Sequence, residues 1–211
     1  MSNQTPYRVI LDFEKEVALY TGAPYCIAVN SCTNALYLSL LWCKKQYTSE
    51  TVYIPSKTYV SVPMQVIKAG FKLQFTDEDW EGMYRLTPFN LFDAARRFSK
   101  NMFVAAPFSY KSKNVIMCTS HHWTKILGIQ HGGCILHNIP EADEFFRAMR
   151  HDGRIDGKPI TNENIKYIGE HCPMPPENAA AGLVRLANLP DYNRDLPNSD
   201  YPDLSTFEVF K

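Results

Sequence analysis

Residues 25–55, "YCIAVNSCTNALYLSLLWCKKQYTSETVYIP", change their apolar period twice. "YCIAV" reads as a short buried strand, "SCTNALYLSLLWCKKQY" switches to helical spacing, and "TVYIP" returns to a strand that ends at Pro55. The pattern extends in both directions. Upstream, "ILDFEKEVALYTG" (10–22) predicts an amphipathic helix stopped by Gly22, with Leu11, Val17 and Ala18 in one apolar stripe. Downstream, "YVSVPMQVIKAG" (59–70) predicts a helix closed by Gly70, and "FKLQF" another strand. A βαβαβ run of this kind predicts an α/β fold in three layers, α/β/α, with a mostly parallel sheet and right-handed crossovers.

The middle is less regular. "NLFD" (90–93), "NMFVAA" (101–106), "NVIMC" (114–118) and "GCILHN" (133–138) read as four short strands, followed by a helix from Pro140 to near Gly153. Beyond residue 153 the texture turns to loop, apart from an Ala-rich helix near 175–189. The last segment, 192–211, has little periodicity and reads as a tail or a partner-wrapping segment. The expected division is therefore 1–153 as an α/β domain and 154–211 as a C-terminal remnant.

Twenty-two basic and twenty-two acidic residues cancel, so no global field recruits nucleic acid or an anionic membrane. With no membrane-length apolar run and no secretory apolar core at the N-terminus, a cytoplasmic protein is expected. Six cysteines without CxxC spacing read as free thiols in a reducing compartment. There is no HExxH, and the neighbours His121 and His122 point different ways on either kind of element, so no metal site is expected.

Ligands of α/β sheets sit beyond the carboxyl ends of the strands. After "YCIAV" come Ser31, Cys32 and Thr33, opening a helix: an anion cradle, or plain N-capping. GxGxxG is absent, which argues against a dinucleotide loop. After "TVYIP" comes Tyr59, an aromatic plate or an ordinary rim tyrosine. After "NLF" comes Asp93, which alone also reads as a cap. Ser120 and Lys125 follow in "TSHHWTKILGIQHGG" (119–133), where the lysine alone also reads as a surface charge. Together, a cradle, a plate, a carboxylate and a lysine at the strand ends of one sheet are the parts a pyridoxal phosphate site needs.

These residues carry a resemblance. "FEKEVALYTGAPYCIAVNSCTNALYLSLL", "YIPSKTYVSVPMQVIKAGFKLQFTD", "FDAARRF", "SHHWTKILGIQHGGCIL" and "MPPENAAAGL" resemble, in order, successive blocks of the DegT/DnrJ/EryC1/StrS aminotransferases, which use pyridoxal phosphate to aminate nucleotide-linked keto-sugars. The resemblance implies the large domain of a fold type I pyridoxal-phosphate transferase with its small C-terminal domain largely missing. It makes Lys125 the Schiff-base lysine, Asp93 the partner of the pyridine nitrogen and Tyr59 the stacking ring. Ser31, Cys32, Thr33 and Ser120 become phosphate ligands, with Cys32 standing where the family has glycine. Arg96 stands where the family prefers Gln or His near the ring's phenolic oxygen. His171 stands where an Asn of the second subunit reaches the phosphate.

The implied function is transfer of an amino group from glutamate or glutamine to a keto-sugar nucleotide or similar carbonyl compound, by a homodimer. The alternatives are another reaction of the same cofactor, such as dehydration, and a non-catalytic dimer that keeps the fold as a scaffold. In the dehydratase branch a histidine replaces the lysine, so Lys125 speaks against it.

Overall fold

The computed structural model describes residues 7–105, 113–156, 158–162, 164–198 and 200–211. The chain begins α1 (Arg8–Thr21), β1 (Tyr25–Val29), α2 (Cys32–Gln46), β2 (Thr51–Pro55), α3 (Ser61–Lys68) and β3 (Lys72–Thr76), the order its periodicity predicts. It continues through β4 (Tyr84–Arg85), β5 (Leu91–Asp93), α4 (Met102–Ala105), β6 (Ile116–Ser120), β7 (Gly133–His137), α5 (Pro140–Met149) and α6 (Pro176–Leu186). Helix α1 stops where Gly22, at φ 76°, donates its N–H back to the Ala18 carbonyl, a left-handed turn that glycine adopts without Cβ strain.

Five strands form one sheet in the order β1-β7-β6-β5-β4, while β2 and β3 pair in parallel beside it. The sheet is mixed rather than mostly parallel. Strand β7 runs antiparallel to both β1 and β6, and β5 is parallel to β6, so β1, β5 and β6 share a direction that β7 and the short β4 reverse. The reason is the connection: residues 121–132 fold back as a loop, and a parallel return would need a crossover. Between β2 and the main sheet, Tyr53 and Thr87 exchange backbone hydrogen bonds of 2.8 and 3.1 Å. The β4–β5 hairpin thus occupies the place beside β2.

Alternation along the strands splits the core in two. Ile27, Val29, Ile116, Cys118 and Ile135 point to one face, where they meet Leu36 and Leu40 of α2 and Phe146 of α5. Cys26, Ala28, Met117, Cys134 and Leu136 point to the other, against Phe13 and Val17 of α1 and Ala179 of α6. Period-two strands covered by helices on both faces give the three expected layers.

The outer edge of β1 is closed by side chains. Glu14 of α1, buried, accepts the Ala28 N–H at 2.8 Å, and Arg150 donates to the Ala28 carbonyl at 2.7 Å. Glu14 and Arg150 pair with each other, and Arg147 and Asp156 complete the charges. The unpaired edge is therefore satisfied from within.

A further expectation changes. Residues 102–105 of the expected strand "NMFVAA" form helix α4, and Ala106 lies outside the described residues. A short apolar run does not distinguish the two states, and here Asn101, at positive φ, accepts from the Ala105 N–H to close a turn. One side of α6 packs against α1: an added Cβ at Gly182 would lie 2.5 Å from the buried Phe13 ring. Gly182→Ala should accordingly lower stability in urea unfolding by roughly 1–3 kcal/mol through overpacking, against a gain of about 1 kcal/mol from helix propensity alone. A more stable variant would mean that α1 and α6 pack less closely than described.

Candidate functional site

The N-terminus of α2 forms one wall of a cavity of about 570 Å³. Ser31 is the N-cap: its Oγ accepts the Asn34 N–H at 3.2 Å. Capping is thus real, yet it leaves the N–H groups of Cys32 and Thr33 in the first turn without helical acceptors. No acidic residue lies in that turn, so the positive end of the helix dipole is not offset there. Thr33 shares a 2.9 Å hydrogen bond with Ser61 of α3, and Ser120, at the end of β6, stands opposite Gly133 in the sheet. Gly133 also pairs with Val29 and lies directly under α2. A Cβ there would be 2.5 Å from the Cys32 nitrogen and 2.7 Å from the Ser31 carbonyl carbon.

Asp93 ends β5 deep in the same cavity. Its Oδ1 accepts the Ala95 N–H at 2.9 Å, and its Oδ2 accepts the Tyr84 hydroxyl at 3.0 Å; Tyr84 in turn shares a 2.6 Å bond with Thr58. No helix follows, so the carboxylate is not a helix cap. Burial raises its pKa; the Ala95 and Tyr84 hydrogen bonds and the charges of Lys125 and Arg96 act against that rise. Lys125 follows β6 in the returning loop, its N–H bonded to the His122 carbonyl at 2.8 Å. Burial and the neighbouring Arg96 lower its pKa, with Asp93 opposing. The two adjacent histidines diverge as expected: His121 is buried against Phe13 and Phe98, whereas His122 stands at the mouth beside Thr124.

Ser31, Cys32, Thr33, Tyr59, Asp93, Arg96, Ser120 and Lys125 all line this cavity. His171 does not. It lies outside, exposed, with Nδ1 2.7 Å from Asp152. Tyr59 is half-exposed at the rim, its ring centre 6.3 Å from that of Tyr201.

The fourth wall comes from the segment read as a tail. Arg96 donates through Nε to the Tyr201 hydroxyl at 3.0 Å, through Nη2 to Asp200 at 2.5 Å and through Nη1 to the Pro197 carbonyl. Its guanidinium lies 4.3 Å from the Tyr201 ring centre, and Lys125 Nζ reaches the same hydroxyl at 3.4 Å. Tyr84 and Tyr201 were not among the residues predicted for the site. Tyr84 shows itself only through its register with Asp93, and nothing local singles out Tyr201.

A helix end rich in free N–H groups, a buried carboxylate, an amine of lowered pKa and an aromatic rim suit a flat ligand that carries an anionic group and a basic ring nitrogen. Among the described residues, no cluster of three His, Cys, Asp or Glu side chains is placed to hold a metal ion. Gly133→Ala should weaken binding of inorganic phosphate tenfold or more in calorimetric titration, because the methyl group displaces the Cys32 N–H; one charge-assisted hydrogen bond is worth roughly 1.5–3 kcal/mol. Unchanged affinity would place the anion elsewhere.

No curated protein matches the sequence. Residues 2–100 match the DegT/DnrJ/EryC1/StrS aminotransferase family. Among solved structures, a DegT DnrJ EryC1 StrS aminotransferase from Brucella abortus is similar at TM-score 0.63 and 22% identity over 85% of this chain and 58% of its own. NtdA from Bacillus subtilis, with bound cofactor PMP, is similar at TM-score 0.65 and 20% identity over 86% of this chain and 48% of its own. A sugar aminotransferase from Micromonospora echinospora is similar at TM-score 0.64 and 14% identity over 85% and 61%. The chain thus spans between 48% and 61% of the length of these three structures, and at such identities the likeness concerns the fold. Residues 2–100 are thus similar in sequence to the DegT/DnrJ/EryC1/StrS aminotransferase family, and most of the chain is similar in fold to a solved aminotransferase of that name.

Proposed function

We propose that the chain is a pyridoxal-phosphate-dependent aminotransferase, moving an amino group from glutamate or glutamine to a keto-sugar nucleotide or a similar carbonyl compound. The observation that carries this reading is the meeting of Lys125 and Asp93 in one cavity with the open N-terminus of α2. The donor set suits the cofactor, and the volume of about 570 Å³ falls within the usual range for small-ligand pockets, roughly 300–1,000 Å³. The sugar acceptor rests on likeness to the Micromonospora enzyme.

When bound, pyridoxal phosphate supplies an electron sink for a carbanion at the substrate's α-carbon. The protein's share is binding, orientation and proton transfer. Cys32 and Thr33 N–H groups, with Ser31 holding the cap and Ser120 facing it, would receive the phosphate. Tyr59 would lie against the ring, and Asp93 would keep the ring nitrogen protonated. Lys125 Nζ would take and return the α-proton, a task that a lowered pKa favours near neutral pH. His171, exposed outside its own chain's cavity, is available to a second copy in a cytoplasmic homodimer. The exposed rings of Tyr59 and Trp123 support such pairing.

A scaffold role is the second reading, favoured by one observation: Arg96 and Lys125 already have partners in Asp200 and Tyr201. Glutamate or glutamine added to the protein loaded with pyridoxal phosphate should bleach its visible absorbance, whereas a scaffold would leave the spectrum unchanged. Asp93→Asn should lower cofactor affinity and this half-reaction tenfold to a hundredfold or more, since the lost charge-assisted bond is worth roughly 1.5–3 kcal/mol. Folding should hardly change. A variant that bleaches like the parent would reduce Asp93 to its turn with Ala95.

A further inference from the structure

Two neighbouring arginines are each paired with an aspartate from the last part of the chain, and the pairs differ in kind. Arg97 holds Asp195 by both carboxylate oxygens, and the Asp195 side chain is only 18% exposed. Arg96 holds Asp200 by a single oxygen, and that side chain is 67% exposed. Arg96 lines the cavity and Arg97 does not. Two further contacts, to the Tyr201 hydroxyl and the Pro197 carbonyl, fix the Arg96 guanidinium independently of Asp200. A buried guanidinium aimed by neutral partners and covered by one water-exposed carboxylate is an anion site whose occupant is exchangeable, because that carboxylate keeps much of its hydration and is held by one oxygen only.

We propose that Asp200 is an internal stand-in for the carboxylate of an amino-acid or oxo-acid substrate, which binds by displacing it from Arg96. The class of ligand follows from the surroundings. Guanidinium and carboxylate match in shape and charge, and the freed Nη2 of Arg96 offers the position that Asp200 now fills. Tyr201 Oη touches both Arg96 Nε and Lys125 Nζ, so a carboxylate on Arg96 lies two hydrogen bonds from the Lys125 amine. An acid bearing its amino or oxo group on the adjacent carbon presents that group toward the lysine. Arg96 is then the residue that selects acids, and Asp200 sets their apparent affinity, since a ligand that must displace an internal competitor binds more weakly by the fraction of sites left free. The inference rests on the aminotransferase reading only for what happens to the acid once bound.

The probe is glutarate, a dicarboxylate with no amino or oxo group, titrated calorimetrically into the full chain, with dimethyl glutarate as the uncharged control. Asp200→Asn should tighten glutarate binding about threefold to tenfold by removing the competitor. Arg96→Gln should weaken it tenfold or more, Asp195→Asn should leave it unchanged, and the diester should not bind. Equal affinity in parent and Asp200→Asn, no binding in either, or the same tightening in Asp195→Asn would overturn the proposal. Asp200→Ser repeats the test with a smaller neutral side chain should the Asn variant fold poorly. Glutarate binding requires no cofactor. A protein that binds glutarate in this pattern yet fails to bleach with glutamate would refute the aminotransferase reading and leave the acid site standing.

Discussion

Everything in the site depends on how closely Gly133 passes beneath the start of α2. The glycine pairs with Val29 on one side and Ser120 on the other, and its missing side chain lets the Ser31–Cys32 backbone approach to distances a Cβ would forbid. One residue therefore brings the end of β1, the first turn of α2 and the end of β6 to a single point. Ser120 faces the helix N-terminus for that reason, and the loop that carries Lys125 starts beside it. A sheet with β7 running parallel would send this loop to the opposite end and separate the lysine from the cradle.

Around that point the electrostatics are arranged by burial. Burial raises the pKa of Asp93, opposed by Ala95, Tyr84 and two nearby cations, while burial and Arg96 lower that of Lys125. The two shifts have a common origin, a cavity that removes water from both groups, yet their neighbours sort them into different tasks. Removing the tail would change this balance, because Tyr201 and Asp200 cover Arg96, the cation that acts on both. On the far edge of β1, the buried Glu14–Arg150 pair does the corresponding structural task, satisfying the strand's free backbone groups so that the Val29–Ser31 turn stays in place.

Much of this was legible in the sequence, for local reasons. Strands 25–29 and 51–55 fall where the apolar runs end at Gly, Pro and Asn, and the rule that ligands sit beyond strand ends picks out Ser31, Tyr59, Asp93 and Lys125 before any coordinates. What stayed hidden depends on contacts with no local signature. The reversal of β7 is decided by the path of residues 121–132, α4 by a single turn closed at Asn101, and Tyr84 by a hairpin register. Asp200 and Tyr201 lie more than a hundred positions from Arg96 in a stretch without period, so only folding shows that they close the site.

The most direct measurement is to load the protein with pyridoxal phosphate, reduce it with borohydride and map the modified peptide. The account predicts one fixed label, on Lys125, and none in Lys125→Ala. A label on another lysine, or no fixed label in the parent protein, would contradict it.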